Sequence, residues 1–162
     1  MLAYQCTPAL VGKVMKPYAA FLMNSLAKPL AITNNDKANI AWYVGFSIGQ
    51  VRKQGDWAFD VSYQWAQAQA VSEVDFSGIG RGNAARVGLY TNSINGDLNN
   101  GATTQQTTVG NGNYKGWQFE ILYALTNNLT LLQNVQLSKT LNKNIGPMIR
   151  YAQFETELIY AF

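Results

Sequence analysis

Asp60, Glu120, Glu155 and Glu157 recur at every second position of stretches whose other positions are largely apolar. Tyr43, Gln64, Gln118, Asn134, Gln136 and Gln153 hold equivalent positions in the same stretches or in similar ones. A wall of such side chains is wet and mildly acidic, and rows of like charge set ion preference in water-filled pores. Catalytic chemistry is harder to assemble. The chain has no His, which removes the commonest general base, the commonest metal ligand and every Ser-His or Cys-His pair. Cys6 is the single cysteine, so it forms no internal disulfide or thiolate cluster and reads as a small buried or interfacial residue. Gly78, Gly80 and Gly82 imitate part of a dinucleotide fingerprint, but no helix signal follows and Asn stands at 83. The run from Asn95 to Gly101 has calcium-loop oxygens at alternate positions, yet its Gly comes one place late and no Glu closes the twelfth position. No catalytic residue, cofactor or metal site is expected.

The elements that must position the polar residues are strands. Trp57, Phe59, Val61, Tyr63 and Trp65 interleave with Ala58, Asp60, Ser62, Gln64 and Ala66. Such period-two alternation of apolar with small or polar residues marks a strand lying between two different media. It recurs in Trp117–Leu125, in Ile40–Gly49, in Leu129–Leu137 and in Ala152–Phe162, with weaker candidates at residues 1–8 and 14–24. Gln133 interrupts the apolar face of the fourth of these stretches. A lone amide facing lipid is costly, and it is the one hint of a homo-oligomer.

These stretches run to about 10–13 residues, near the 9–11 that a tilted strand needs to cross a bilayer. Their connections sort by length. Residues 9–13, 52–55 and 126–128 are tight links, while 25–37, 69–113 and 141–147 are longer, and the two kinds alternate. Outer-membrane barrels keep short turns on the periplasmic side and long loops outside. Trp57 and Trp65 share a face, eight residues or about 26 Å apart along the strand, near the spacing of the two aromatic girdles of such a barrel. Trp42 and Trp117 then fall toward the outer rim, Tyr160 and Phe162 toward the inner one. The spacing predicts an all-β, antiparallel transmembrane β-barrel, with residues 1–162 as a single region and 69–113 as a long extracellular loop.

Composition agrees. The 12 Lys/Arg and 9 Asp/Glu amount to 13% of 162 residues, about half the usual share of a soluble domain. Hydrophobic residues make up 48%, too many for intrinsic disorder, yet no run approaches the roughly 18–20 apolar residues of a membrane-spanning helix. The basic residues Lys13, Arg52, Lys53, Arg81, Arg86, Lys115, Lys139 and Lys143 read as scattered, so no nucleic-acid partner is expected. Arg52, Lys53, Lys139 and Lys143 lie where lipid head groups or lipopolysaccharide phosphates would attract them. The start of the chain carries no secretory signal pattern, which leaves a cytosolic protein or an incomplete chain.

The segments Val14-Met-Lys-Pro-Tyr-Ala-Ala-Phe, Gln54-Gly-Asp-Trp-Ala-Phe-Asp-Val-Ser-Tyr-Gln-Trp, Asp75-Phe-Ser-Gly-Ile-Gly-Arg-Gly-Asn, Asn113-Tyr-Lys-Gly-Trp and Tyr123-Ala-Leu-Thr-Asn-Asn-Leu-Thr-Leu resemble, in order and spacing, the C-terminal part of a porin family of Gram-negative outer membranes. The ending Glu155-Thr-Glu-Leu-Ile-Tyr-Ala-Phe also resembles the signal read by the barrel-assembly machinery, with Tyr160 and Phe162 as its aromatics. Glu157 stands where that signal usually has Gly. The resemblance implies an outer-membrane location and a fragment, since members of such a family have a signal peptide and several earlier strands. An odd count of about seven strands independently implies part of a larger barrel, because bacterial single-chain barrels have even numbers.

The expected function is passive diffusion of small hydrophilic solutes or ions with a weak cation preference. Pore-lining candidates are Tyr43, Asp60, Gln64, Gln118, Glu120, Asn134, Gln136, Gln153, Glu155 and Glu157. Trp42, Trp57, Trp65, Trp117, Tyr160 and Phe162 are the membrane-interface aromatics. Three alternatives stay open: a complete eight-stranded barrel with a filled interior, acting as adhesin or structural anchor; a soluble lipocalin-like ligand-binding barrel, for which the chain has few charges; and a soluble sandwich.

Overall fold

The computed structural model describes residues 1–8, 12–29, 35–71, 78–79, 112–143, 148 and 150–161. Among them the chain forms one antiparallel sheet of seven strands and no helix. The strands are β1 (Leu2–Ala3), β2 (Met15–Met23), β3 (Ile40–Gly49), β4 (Trp57–Ala66), β5 (Tyr114–Ala124), β6 (Leu129–Thr140) and β7 (Arg150–Tyr160). Each pairs with its neighbours in sequence, so the sheet is an up-and-down meander.

The register keeps the two faces separate over its whole width. Phe46, Val61, Phe119, Val135 and Phe154 stand side by side on β3 to β7. One residue along, Ser47, Asp60, Glu120, Asn134 and Glu155 form the matching row on the other face. A slip of one residue in any pair from β3 to β7 would put carboxylates among aromatics, so the alternation itself fixes the pairing there. The apolar face is open: Trp117 is 48% exposed and Phe154 and Leu158 are each 65% exposed. The polar face is the more enclosed, and the buried residues Ser62, Ala66, Tyr114, Ala124, Asn134, Ser138 and Thr140 all belong to it. Among the described residues no second layer covers the aromatics, as a sandwich would require.

Two tight turns share one end of the sheet and lock together. In the β3–β4 turn the Asp56 carboxylate accepts the backbone N–H groups of Arg52 and Lys53, both at 3.1 Å. In the β5–β6 turn Thr126 Oγ1 accepts the N–H of Asn128 and of Leu129. The Gln54 N–H donates to Asn127 Oδ1 at 2.9 Å and the Gly55 N–H to the Ala124 carbonyl, which joins one turn to the other. Gly55, at φ 84°, takes the left-handed conformation that a side chain would resist.

Three details differ from the sequence reading. The first strand enters the ladder only at Leu2–Ala3, and then touches β2 through Tyr4 and the Cys6–Met15 bridge. The Tyr4 N–H donates to the Pro17 carbonyl, but Pro17 has no N–H to return, so half of that pair is missing and the ladder stops. The last strand is displaced to Arg150–Tyr160, and Phe162 lies outside the described residues. Finally, β1 and β7 are edges that do not pair with each other, so the sheet is open rather than the closed barrel the alternation predicts. A two-residue β1 offers too few backbone groups to close on the eleven residues of β7.

Candidate functional site

The polar face is built in rows. Tyr18, Gly45, Ser62, Gln118, Gln136 and Gln153 form one from β2 to β7. Toward the tight turns, Lys16 precedes Ser47, Asp60, Glu120, Asn134 and Glu155 in the next, and Glu157 stands one row further, opposite Leu132. Toward the long links, Tyr43, Gln64, Gly116, Ser138 and Tyr151 form the row above. All ten residues expected to line a channel therefore share this face.

Charge is partitioned between the faces. The carboxylates that lie in strands are Asp60, Glu120, Glu155 and Glu157, and every one is on the polar face, with Lys16 as the strand cation beside them. Directly opposed like charges repel across a sheet, so this ladder holds a negative potential that water or cations must offset. Asn134, between Glu120 and Glu155, is 8% exposed, and its Oδ1 has no hydrogen-bond partner among the described residues. It adds a bare acceptor to the ladder. The acids are spread along the wall, and among the described residues no group of three is gathered closely enough to hold a metal ion.

Sequence reasoning missed Tyr18. Its hydroxyl donates to Asp60 Oδ1 at 2.6 Å, and its ring stands edge-on to Tyr43 with centroids 6.0 Å apart. The signal was an aromatic at an even position of the weak 14–24 stretch, but its partner is 42 residues away. Gln64, expected to face open water, instead accepts two bonds: from the Tyr114 hydroxyl at 3.2 Å and from the Ile79 N–H at 3.1 Å. Ile79 is fully buried against Ala66 and Tyr114. Thus residues 78–79 of the long β4–β5 link lie over the polar face, while Gln67 and Gln69 still donate backbone N–H groups to the carbonyls of Ile40 and Ala38. Residues 72–77 and 80–111, which include Gly80, Gly82 and the calcium-like run, lie outside the described residues.

On the apolar face the Trp and Tyr residues lie toward the two ends, with Phe46, Phe119 and Phe154 in the row between them. Trp42 and Trp65 are cross-strand partners with centroids 6.0 Å apart, and Tyr63 packs on Trp117 at 4.8 Å. At the tight-turn end the Lys13 ammonium lies 5.1 Å from the Trp57 ring, and Tyr160 opposes Leu129 one row beyond. Gln133 does sit on this face, between Ile121 and Thr156. The basic residues are less scattered than the sequence reading has them. Lys115, Lys139 and Arg150 stand side by side in one row at the long-link end, next to Trp65.

Comparisons with protein-family models, with curated proteins and with solved structures find no match for the chain.

Proposed function

We propose that this sheet is a section of wall from an outer-membrane diffusion channel for small hydrophilic solutes, with a weak preference for cations. The observation that carries the reading is the partition of charge: all four strand carboxylates share the enclosed face, while the opposite face carries none of them and exposes mainly aromatic and aliphatic side chains. In water such an apolar face would have to be covered. In a bilayer it is the solvated face, and the polar face becomes the lumen. The aromatic clusters near both ends of the strands match the two interfaces of such a wall. The resemblance to an outer-membrane porin family points the same way.

A bilayer tolerates no free sheet edge. The functional channel therefore includes strands that pair with β7 and with the β1–β2 edge, from further chain or from a second copy. Residues 78–79, lying over Gln64 and Tyr114, narrow the lumen on the long-loop side. Reconstitution into planar bilayers tests the reading. Discrete conductance steps and a reversal potential of cation-selective sign are expected in a salt gradient, whereas an electrically silent protein that inserts fully would refute the channel.

A further inference from the structure

We propose that Lys115, Lys139 and Arg150 form a binding site for the phosphate groups of a membrane lipid. The proposal rests on the reading of the apolar face as lipid-facing.

The three side chains occupy consecutive strands in one row. Directly opposed positions on one face hold their Cβ atoms about 4.5–5.5 Å apart, and like charges there destabilise the pairing. The neighbour that closes the row is Trp65, and the strand carboxylates all face the other way. Among the described residues none of the three cations has an ion-pair partner. A row of three cations on one face calls for an anion that bridges them, and a phosphate matches both the fork of a guanidinium and the point charges of two ammonium groups.

The surroundings choose lipid over free phosphate. The row borders a cleft of about 530 Å³ whose other wall includes Tyr63, Trp117 and Leu137. From there the face continues through Phe119 and Val135 toward the middle of the sheet. A free anion gains nothing from that floor. A headgroup whose acyl chains run down it satisfies the cations and covers Trp117 and Leu137 together.

The test uses the full chain in micelles, with native mass spectrometry reading retained lipid. Bis-phosphorylated lipid A should be retained by the wild type, and its dephosphorylated counterpart should not. The triple variant K115Q/K139Q/R150Q should retain lipid A at least about tenfold less, as loss of charge-assisted bonds implies, while K13Q at the other rim should retain it normally. In phosphate-free micelles the triple variant should melt no lower than wild type, because removing it relieves repulsion. Unchanged retention, a lower melting point without lipid, or displacement of lipid A by inorganic phosphate would each overturn the headgroup site. Quenching of Trp fluorescence by brominated acyl chains in vesicles separates the two ideas. If quenching is absent, the membrane reading fails and takes the site with it. If quenching is normal and retention ignores the charges, the site alone fails.

Discussion

The Tyr18 hydroxyl reaches Asp60 two strands away, at 2.6 Å, by laying its ring across Gly45 of the intervening strand. A Cβ at position 45 would overlap that ring. The aromatic covers the bare glycine backbone and delivers a donor to the carboxylate, tying β2, which has only the two-residue β1 on its other side, to the centre of the sheet. Tyr18→Phe should cost about 1.5–3 kcal/mol, the usual range for a hydrogen bond to a charged group. Gly45→Ala should cost about 1–3 kcal/mol by forcing the ring aside. The double variant should cost less than the sum, because both changes break the same contact. Denaturant titration of the folded protein measures all three.

The tight-turn end carries a pH-sensitive cap. The Lys53 backbone N–H, and then that of Arg52, hold the Asp56 carboxyl below the usual aspartate range, and the charges of Lys53 and Lys13 act in the same direction. A carboxylate held down in the folded state stabilises it above the unfolded-state pKa, and the gain disappears as pH falls through the folded value. Wild type should therefore melt above Asp56→Asn at neutral pH, and the gap should close as the solution is acidified below the ordinary aspartate range. Melting curves across pH check this, and a gap that widens in acid would contradict the cap.

Ion preference should follow the acidic ladder. Neutralising Asp60, Glu120 and Glu155 together with Asn, Gln and Gln should move the reversal potential toward zero, and Glu120→Gln alone should move it part of the way. Planar-bilayer recordings in a salt gradient distinguish this from a selectivity set by the long loop, which the triple change would leave intact.

Neighbouring positions on β5 should respond in opposite ways to one charge. Phe119 lies in the middle apolar row, between Val61 and Val135. An Arg there faces hydrocarbon and should cost about 2–4 kcal/mol in a bilayer. Gln118→Arg, one residue earlier on the polar face, should fold almost normally and weaken cation preference. Refolding into vesicles at graded denaturant, paired with conductance, reads both.

Much of the sheet was legible because its strands alternate strictly. Trp57 to Ala66 on β4 announce both their faces and their ends, while on β5 the alternation from Trp117 gives the faces but not the start, which lies at Tyr114. Legibility fell where one residue overrides the pattern: Pro17 removes a ladder donor and shortens β1 to two residues. What depends on register was hidden. Lys115, Lys139 and Arg150 are far apart in sequence and look unrelated until β5, β6 and β7 are aligned. The Tyr18–Asp60 bond likewise needs the pairing of β2, β3 and β4 and the absence of a side chain at 45. Gln64 was placed on the correct face, but its partners arrive from Tyr114 and from Ile79 within a loop whose path no periodicity encodes.

The central claim is that the aromatic face meets hydrocarbon and the carboxylate face meets water. The most direct test is a scan of residues 117–123 in a Cys6→Ser background. Each residue is replaced singly by Cys, spin-labelled in vesicles, and its access to oxygen compared with its access to a water-soluble nickel chelate. Labels at Trp117, Phe119, Ile121 and Tyr123 should favour oxygen, and labels at Gln118, Glu120 and Leu122 should favour the chelate, with a period of two. Labels at the first four positions that are shielded from both reagents, or that prefer the chelate, would contradict the account.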